Sequence, residues 1–135
     1  MQQFFENNDF DAALAELDKA QTIAPDNANI YRLRGIISNA KHDYLAAVPA
    51  FVKMSELTDK YDYLIKAASD LNSVGKAIMG NITDPTPEAK TQILDIFNSA
   101  LKIAEKAATV EGADASKVNY EIDDIKYNIE NANKL

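Results

Sequence analysis

Residues Asn8 to Asn27 read NDFDAALAELDKAQTIAPDN, and their pattern returns 34 residues further along the chain. At that spacing Asp9 corresponds to Asp43, Phe10 to Tyr44, Ala13 to Ala47 and Ile23 to Leu57. Periods of about 20–50 residues are typical of proteins that stack copies of one supersecondary unit. The repeat therefore predicts that at least part of this chain is built from stacked copies of one motif.

The first copy has the features of an amphipathic helix over about residues 10–23. Asp9 suits the N-cap position before that helix, and Pro25 follows at a point where a helix cannot continue. Between them, apolar residues recur at spacings of three and four and form one stripe: Ala13, Leu14, Leu17, Ala20 and Ile23. This stripe predicts the face of the helix that packs against its neighbours.

Similar signals predict five further helices. Apolar periodicity places them at about residues 29–41, 44–57, 60–78, 87–110 and 115–132. Thr86 and Pro87 suit the N-cap and first position of one helix, and Asp114 or Ser116 suits the N-cap of the last. Gly35 lies inside a predicted helix, where it costs ~1 kcal/mol relative to alanine. Close packing against another helix would be a sufficient reason for that glycine.

The repeated pattern resembles the tetratricopeptide repeat, a pair of antiparallel helices of about 34 residues. Ala13, Ala20 and Pro25 stand where that family has small residues and a proline, and Tyr31 and Gly35 stand at or near its large and small positions. The resemblance implies an all-α fold. It further implies a right-handed superhelix of antiparallel helix pairs that ends in a C-terminal capping helix.

On this resemblance, residues 1–135 form one helical repeat domain. Residues 1–27 are a partial first repeat, 28–59 a second repeat, and 60–110 a divergent third helix pair with a loop at 79–86. Residues 114–133 are the capping helix. In this register Phe4 and Phe5 belong to the end of an incomplete helix, and we expect them to be partly uncovered at an open N-terminal end of the solenoid.

Composition excludes several classes of function. The net charge of −7 and the pI near 4.6 disfavour binding to a nucleic-acid backbone. The absence of cysteine excludes thiolate chemistry and disulfides. No apolar run approaches the ~20 residues that span a bilayer, so we expect no membrane insertion. The cellular compartment stays undetermined.

Three features bear on chemistry, and each has a simpler structural explanation. His42 beside Asp43 is expected to be an exposed turn residue, and Gly75-Lys76 lacks the remainder of a phosphate-binding loop. A third feature, on the last helix, is the pair Asp123 and Asp124 with Glu121 and Glu130 nearby, which we expect to form a solvated acidic face. Lys126 and Asn128 are among the other polar residues outside the apolar side of that helix. We therefore expect no catalytic residue, no metal, no cofactor and no enzymatic activity.

The resemblance also implies a binding surface. Tetratricopeptide arrays line a concave groove with outward residues of the first helix of each pair. Carried onto the second repeat, these positions are Asn29, Arg32, Leu33, Ile36 and Asn39; in the third they are Asp62, Ile65, Ser69, Asn72 and Lys76. Such a mixture suits an extended peptide, because asparagine can both donate and accept hydrogen bonds. Arginine, lysine and asparagine also suit a clamp for a terminal carboxylate, although their spacing differs from the family's clamp.

Two hypotheses of function follow. The first is a non-enzymatic scaffold that binds a protein or peptide on the concave face. The alternative is a structural spacer or self-association segment of a larger protein, with end-to-end contacts through the open N-terminal end.

Overall fold

The computed structural model describes residues 9–135, which fold into α-helices joined by short connections, without a β-strand in that range. The six helices of this range are α1 (Phe10–Ile23), α2 (Ala28–Ala40), α3 (Tyr44–Leu57), α4 (Tyr61–Gly80), α5 (Pro87–Ala108) and α6 (Ala115–Asn133). The predicted all-α class is confirmed for these residues. The expectation for Phe4 and Phe5 lies outside the described residues. No helix within 9–135 combines the length and apolar character needed to traverse a bilayer.

The helix boundaries follow from local capping. Asp9 Oδ1 accepts a hydrogen bond of 3.2 Å from the backbone N–H of Ala12, and Thr86 Oγ1 accepts one of 3.1 Å from that of Ala89. At α6 the cap is Asp114, not Ser116: its Oδ1 accepts from the N–H of Lys117 at 3.1 Å. Each bond satisfies an N–H group that has no partner within the helix. Because these signals are local, every predicted helix end lies within two residues of the observed one.

Backbone hydrogen bonds to the last residues of α2 shape the turn between α2 and α3. His42 adopts φ = +62°, the left-handed conformation that usually follows a helix at glycine. Its N–H donates to the carbonyl of Asn39 at 3.0 Å, and the N–H of Asp43 donates to that of Ser38 at 2.8 Å. These two bonds form a Schellman motif. Asp43, the counterpart of the N-cap residue Asp9 in the 34-residue repeat, occupies the N-cap position of α3 but makes no side-chain capping bond.

The described residues form two compact units, the first ending at Thr58 and the second beginning at Asp59. In the first unit, Ala13 and Leu17 of α1 pack with Ile30 and Ile37 of α2 in one buried cluster. Ile23, the last residue of the predicted α1 stripe, is instead 85% exposed, so its assignment to the packed face is wrong. It is the final residue of the helix, about one turn beyond Ala20, which is partly buried and packs against the cluster.

Gly35 allows α2 and α3 to approach closely. A Cβ atom at residue 35 would lie 2.6 Å from Cε1 of Phe51, whose side chain is 1% exposed. Carbon atoms that touch are normally about 3.5–4.0 Å apart. The ring of Phe51 therefore occupies the space that any side chain at position 35 would need. This agrees with the expectation that Gly35 allows close packing against another helix.

The second unit consists of α4, α5 and α6. Seven apolar residues of α5 recur mostly at spacings of three and four and are all buried: Ile93, Ile96, Phe97, Ala100, Ile103, Ala104 and Ala107. α5 packs against both α4 and α6, and Val118 and Ile125 of α6 are also buried. Lys106, near the end of α5, lies 3.7 Å from Asp59, which precedes α4. The pair α4–α5 is thus antiparallel.

The same glycine–phenylalanine contact joins α4 to α5. A Cβ atom at Gly75 would lie 2.5 Å from Cε1 of Phe97, which is fully buried. Two helix pairs in separate units thus use a glycine in the first helix and a phenylalanine in the second at their closest approach. In this respect Gly75 is the counterpart of Gly35.

Candidate functional site

The predicted binding residues on α2 are all partly exposed, but several already have partners. Arg32 donates from Nε and Nη2 to Oδ1 of Asn29, at 2.9 and 2.7 Å. Leu33 packs against the cluster formed with α1. Ile36 and Asn39 complete the predicted set. The α2 surface thus presents an Arg32–Asn29 pair beside a small apolar area.

On α4, three of the five predicted residues line a cleft against α6. The cleft has a volume of about 250 Å³ and is lined by Asp62, Ile65, Lys66, Ser69, Lys117 and Glu121. It is large enough for side chains of an extended peptide, whereas a helix has a diameter of about 10–12 Å. We call this feature the α4–α6 cleft.

A network of hydrogen bonds joins the two helices beside this cleft. Asn72 Nδ2 donates to Oδ2 of Asp124 at 2.7 Å, and Asn128 Nδ2 donates to Oδ1 of Asn72 at 2.9 Å. Lys76 Nζ also contacts Oδ2 of Asp124, at 3.4 Å. On both helices, the residues that line the cleft precede in sequence the residues that form this network. α4 and α6 therefore run in the same direction. The network fixes their separation at one end of the cleft.

This network corrects two expectations drawn from the sequence. The predicted groove has Asn72 on an outward face, yet this residue is 2% exposed because α6 covers it. Asp124 is expected on a solvated acidic face and Asn128 outside the apolar side of α6, yet Asn128 is 4% exposed and both bind α4. Asp123, the neighbour of Asp124, is exposed as expected. Consecutive helical residues point about 100° apart, so only one of the two aspartates can face α4.

The charges on the cleft walls differ in whether they are already paired. Lys66 Nζ forms an ion pair of 2.8 Å with Asp70 Oδ1 on the same helix. Glu121 accepts one long hydrogen bond, 3.4 Å, from Asn72. Within residues 9–135, the side chains of Asp62 and Lys117 have neither an ion-pair nor a hydrogen-bond partner. The cleft therefore presents an unpaired carboxylate on one wall and an unpaired ammonium group on the other.

Ile65 supplies the apolar part of the cleft. Its side chain is 4% exposed, so it forms part of the floor, not a projecting wall. Ser69, which also lines the cleft, has a hydroxyl group that can donate and accept hydrogen bonds. Five of the six lining residues are polar or charged, so the cleft is more polar than the predominantly apolar pockets that usually bind small molecules.

The other features considered for chemistry have structural roles. His42 Nδ1 lies 2.9 Å from the hydroxyl of Tyr44. His42 lies in the turn between α2 and α3, and Tyr44 is the first residue of α3. Gly75 serves the contact with Phe97. In the part of the chain that the structure describes, no group of three or more histidine, aspartate or glutamate side chains is arranged to hold a metal ion.

Sequence reasoning missed Lys66, Lys117 and Glu121 as cleft residues. A usable signal was nevertheless present. Asn72 interrupts the apolar stripe of α4, and Asn128 lies between the apolar residues of α6. Polar residues on buried faces require partners. Pairing the two asparagines would have placed α6 against α4 and brought the missed residues to the cleft.

The chain is matched by no protein-family model, and no curated protein sequence matches it.

Proposed function

We propose that this chain is a non-enzymatic, tetratricopeptide-like scaffold that binds an extended segment of another protein in the α4–α6 cleft. The observation that carries the proposal is the cleft itself: it lies between two parallel helices and contains Asp62, Ile65 and Ser69, which the family resemblance implied as binding residues. The repeated contact of Gly35 with Phe51 and of Gly75 with Phe97 supports the repeat relationship.

The cleft is already formed, and some of its charged side chains have no partner within residues 9–135. The network of Asn72, Asp124 and Asn128 holds the helices at a defined separation, so little ordering has to accompany binding. Ile65 offers an apolar contact, while Asp62 and Lys117 offer charges without partners in the described chain. A peptide can use both kinds of contact at once.

A matched pair of substitutions on α4 tests this function. Peptides that bind the wild-type protein are first selected from a random displayed library, and their dissociation constants are then measured by fluorescence anisotropy. Ser69→Trp fills the cleft and should weaken binding at least tenfold. Ser73→Trp makes the same substitution at an exposed position four residues further along the same helix, and should leave binding unchanged.

Circular dichroism and thermal melting must show that both variants are folded. Selected peptides that bind the Ser69→Trp variant as tightly as the wild type would show that the binding site lies elsewhere. A library that yields no peptide with preference for the folded protein over the unfolded chain would refute the scaffold function.

A further inference from the structure

We propose that the outer face of α6 docks a basic helix of another protein. Four residues form this face, Tyr120, Asp123, Tyr127 and Glu130, and we call them the tyrosine–acid stripe. None of them lines the α4–α6 cleft, so the proposal goes beyond the peptide-binding function above and does not depend on it. The partner has a defined chemical class: a helix with arginine or lysine residues along one side.

The stripe lies on the side of α6 that is turned away from the core. Val118 and Ile125 are buried, and each is followed two positions later by a tyrosine, Tyr120 and Tyr127 respectively. Two positions along a helix correspond to a rotation of about 200°. The two tyrosines therefore share one line along the helix, opposite the line that packs against the rest of the second unit.

Both tyrosine rings are largely exposed. Tyr120 is 72% exposed and Tyr127 62%, whereas the other four tyrosines of residues 9–135 are only partly exposed. Neither hydroxyl group has a hydrogen-bond partner in that range. Single exposed apolar residues are ordinary on a protein surface. Two uncovered tyrosines on one line are more informative, because tyrosine is enriched in protein interfaces, where its ring supplies apolar contact area and its hydroxyl a polar contact.

The carboxylates of the stripe determine the charge of the partner. Asp123 follows Tyr120 by three residues and Glu130 follows Tyr127 by three, a spacing that makes helical residues neighbours. Both acids are exposed, and within residues 9–135 neither has an ion-pair or hydrogen-bond partner. Lys126 pairs with neither of them and lies about 100° around the helix from Tyr127. The stripe thus presents uncompensated negative charge beside each ring.

A basic side chain can use both features at once. A guanidinium or ammonium group is attracted to the face of a tyrosine ring, and arginine also forms paired hydrogen bonds with a carboxylate. The net charge of −7 attracts a basic partner over longer distances and opposes association with a second copy of this chain.

The spacing of the stripe indicates that the partner is helical. Tyrosine and acid both recur after seven residues, the repeat with which two helices pack along a common seam. From Tyr120 to Glu130 the stripe is about 15 Å long, and the same line ends at Lys134, the C-cap of α6. A helix laid along α6 would bring its basic residues, at spacings of three and four, onto successive members of the stripe.

Nuclear magnetic resonance titration tests this proposal, because it measures weak binding and shows where it occurs. The probes are two alanine-based peptides of about 20 residues, long enough to be helical. Both have blocked ends and the same four arginines. In the first peptide the arginines form one line along the helix, and in the second they are spread around it. We expect the first peptide to bind at least about fivefold more tightly and to shift the amide signals of the stripe.

Two double substitutions in the protein separate the contributions of rings and charges. Tyr120→Ser with Tyr127→Ser removes the rings, and Asp123→Asn with Glu130→Gln removes the charges. Each should weaken binding of the first peptide at least about fivefold.

A matched control removes the same charge elsewhere. Asp95→Asn with Glu105→Gln acts at two exposed acids of α5 and should leave the preference for the first peptide intact. Ser69→Trp, which fills the cleft, should also leave it intact. Thermal melting must show that every variant is folded.

The proposal would be overturned by absence of binding, by equal affinity for the two peptides, or by equal losses in the stripe and control variants. Sedimentation of the protein alone tests a different occupant. A dimer that forms with rising concentration and is lost on substitution of both tyrosines would assign the stripe to a second copy of the chain. None of these results would alter the separate test of the cleft with selected peptides and Ser69→Trp.

Discussion

Replacing Gly35 by alanine tests the closest helix contact of the first unit. The new Cβ atom would lie 2.6–2.7 Å from three ring atoms of Phe51, about 1 Å short of a normal carbon contact. Phe51 is 1% exposed, so its ring can retreat only by displacing other core residues. Overpacking of this kind typically costs ~1–3 kcal/mol. Alanine is favoured over glycine inside a helix by about 1 kcal/mol, which offsets part of that cost.

The clash should exceed the helical gain, and we expect Gly35→Ala to lower the free energy of unfolding by up to about 2 kcal/mol. Urea denaturation followed by far-ultraviolet circular dichroism measures this change, and an unchanged slope shows that the midpoint reflects stability. Gly80→Ala is the matched control, because a Cβ atom there meets nothing within 4 Å. That substitution should be neutral or stabilising.

A double substitution isolates the contact further. Phe51→Leu alone removes the ring and leaves a cavity, whereas Gly35→Ala together with Phe51→Leu gives the new methyl group space. The combined loss should be smaller than the sum of the two single losses by about 1 kcal/mol or more. A Gly35→Ala protein as stable as the wild type, or strictly additive losses, would refute the reasoning from the Gly35–Phe51 contact.

Four further substitutions test other contacts. Tyr61→Phe removes a buried hydroxyl that has no hydrogen-bond partner among the described residues, and its melting temperature should stay the same or rise. Tyr31→Phe, in contrast, should cost ~0.5–1.5 kcal/mol because that hydroxyl donates to the carbonyl of Pro25 at 2.9 Å. His42→Gly should raise stability by up to about 1 kcal/mol, since glycine adopts φ = +62° without strain; a lower melting temperature would mean that the contact with the Tyr44 hydroxyl outweighs the strain. Asn72→Ala should cost ~1–3 kcal/mol for each buried polar group that it leaves unpaired, and a loss below ~0.5 kcal/mol in urea denaturation would contradict the interhelical network.

The helices could be predicted from sequence because their signals are local. Asp9, Thr86 and Asp114 each bond to a backbone N–H three residues away, so the cap and the helix start appear together in the sequence. The spacing of the apolar residues in α5 likewise indicates which face of that helix is buried. Ile23 shows the limit of this reasoning: a stripe predicts which face is apolar but not how far along it the neighbouring helix extends.

The candidate site could be predicted only in part, because it depends on a contact between distant segments. The bond between Asn128 and Asn72 spans 56 residues, and no local pattern specifies it. The alignment of α2 with α4 was a second source of error in the predicted groove. The predicted groove aligned Asn29 with Asp62, whereas the glycine contacts align residue 35 with 75, and therefore Asn29 with Ser69. The two registers differ by seven residues, or about two helical turns, which preserves the face of the helix but shifts the position along it.

The two glycine–phenylalanine contacts have a consequence for mutational scanning. Positions 35 and 75 should tolerate almost no replacement, and a map of functional scores would rank them with binding residues although neither lines the cleft. Gly75 invites a particular misreading, because it precedes Lys76 and the pair resembles a fragment of a phosphate-binding loop. Abundance measured alongside binding would separate the two explanations: substitutions at these glycines should lower the amount of folded protein, whereas a substitution of Lys117, in the proposed binding cleft, should leave that amount unchanged and weaken binding.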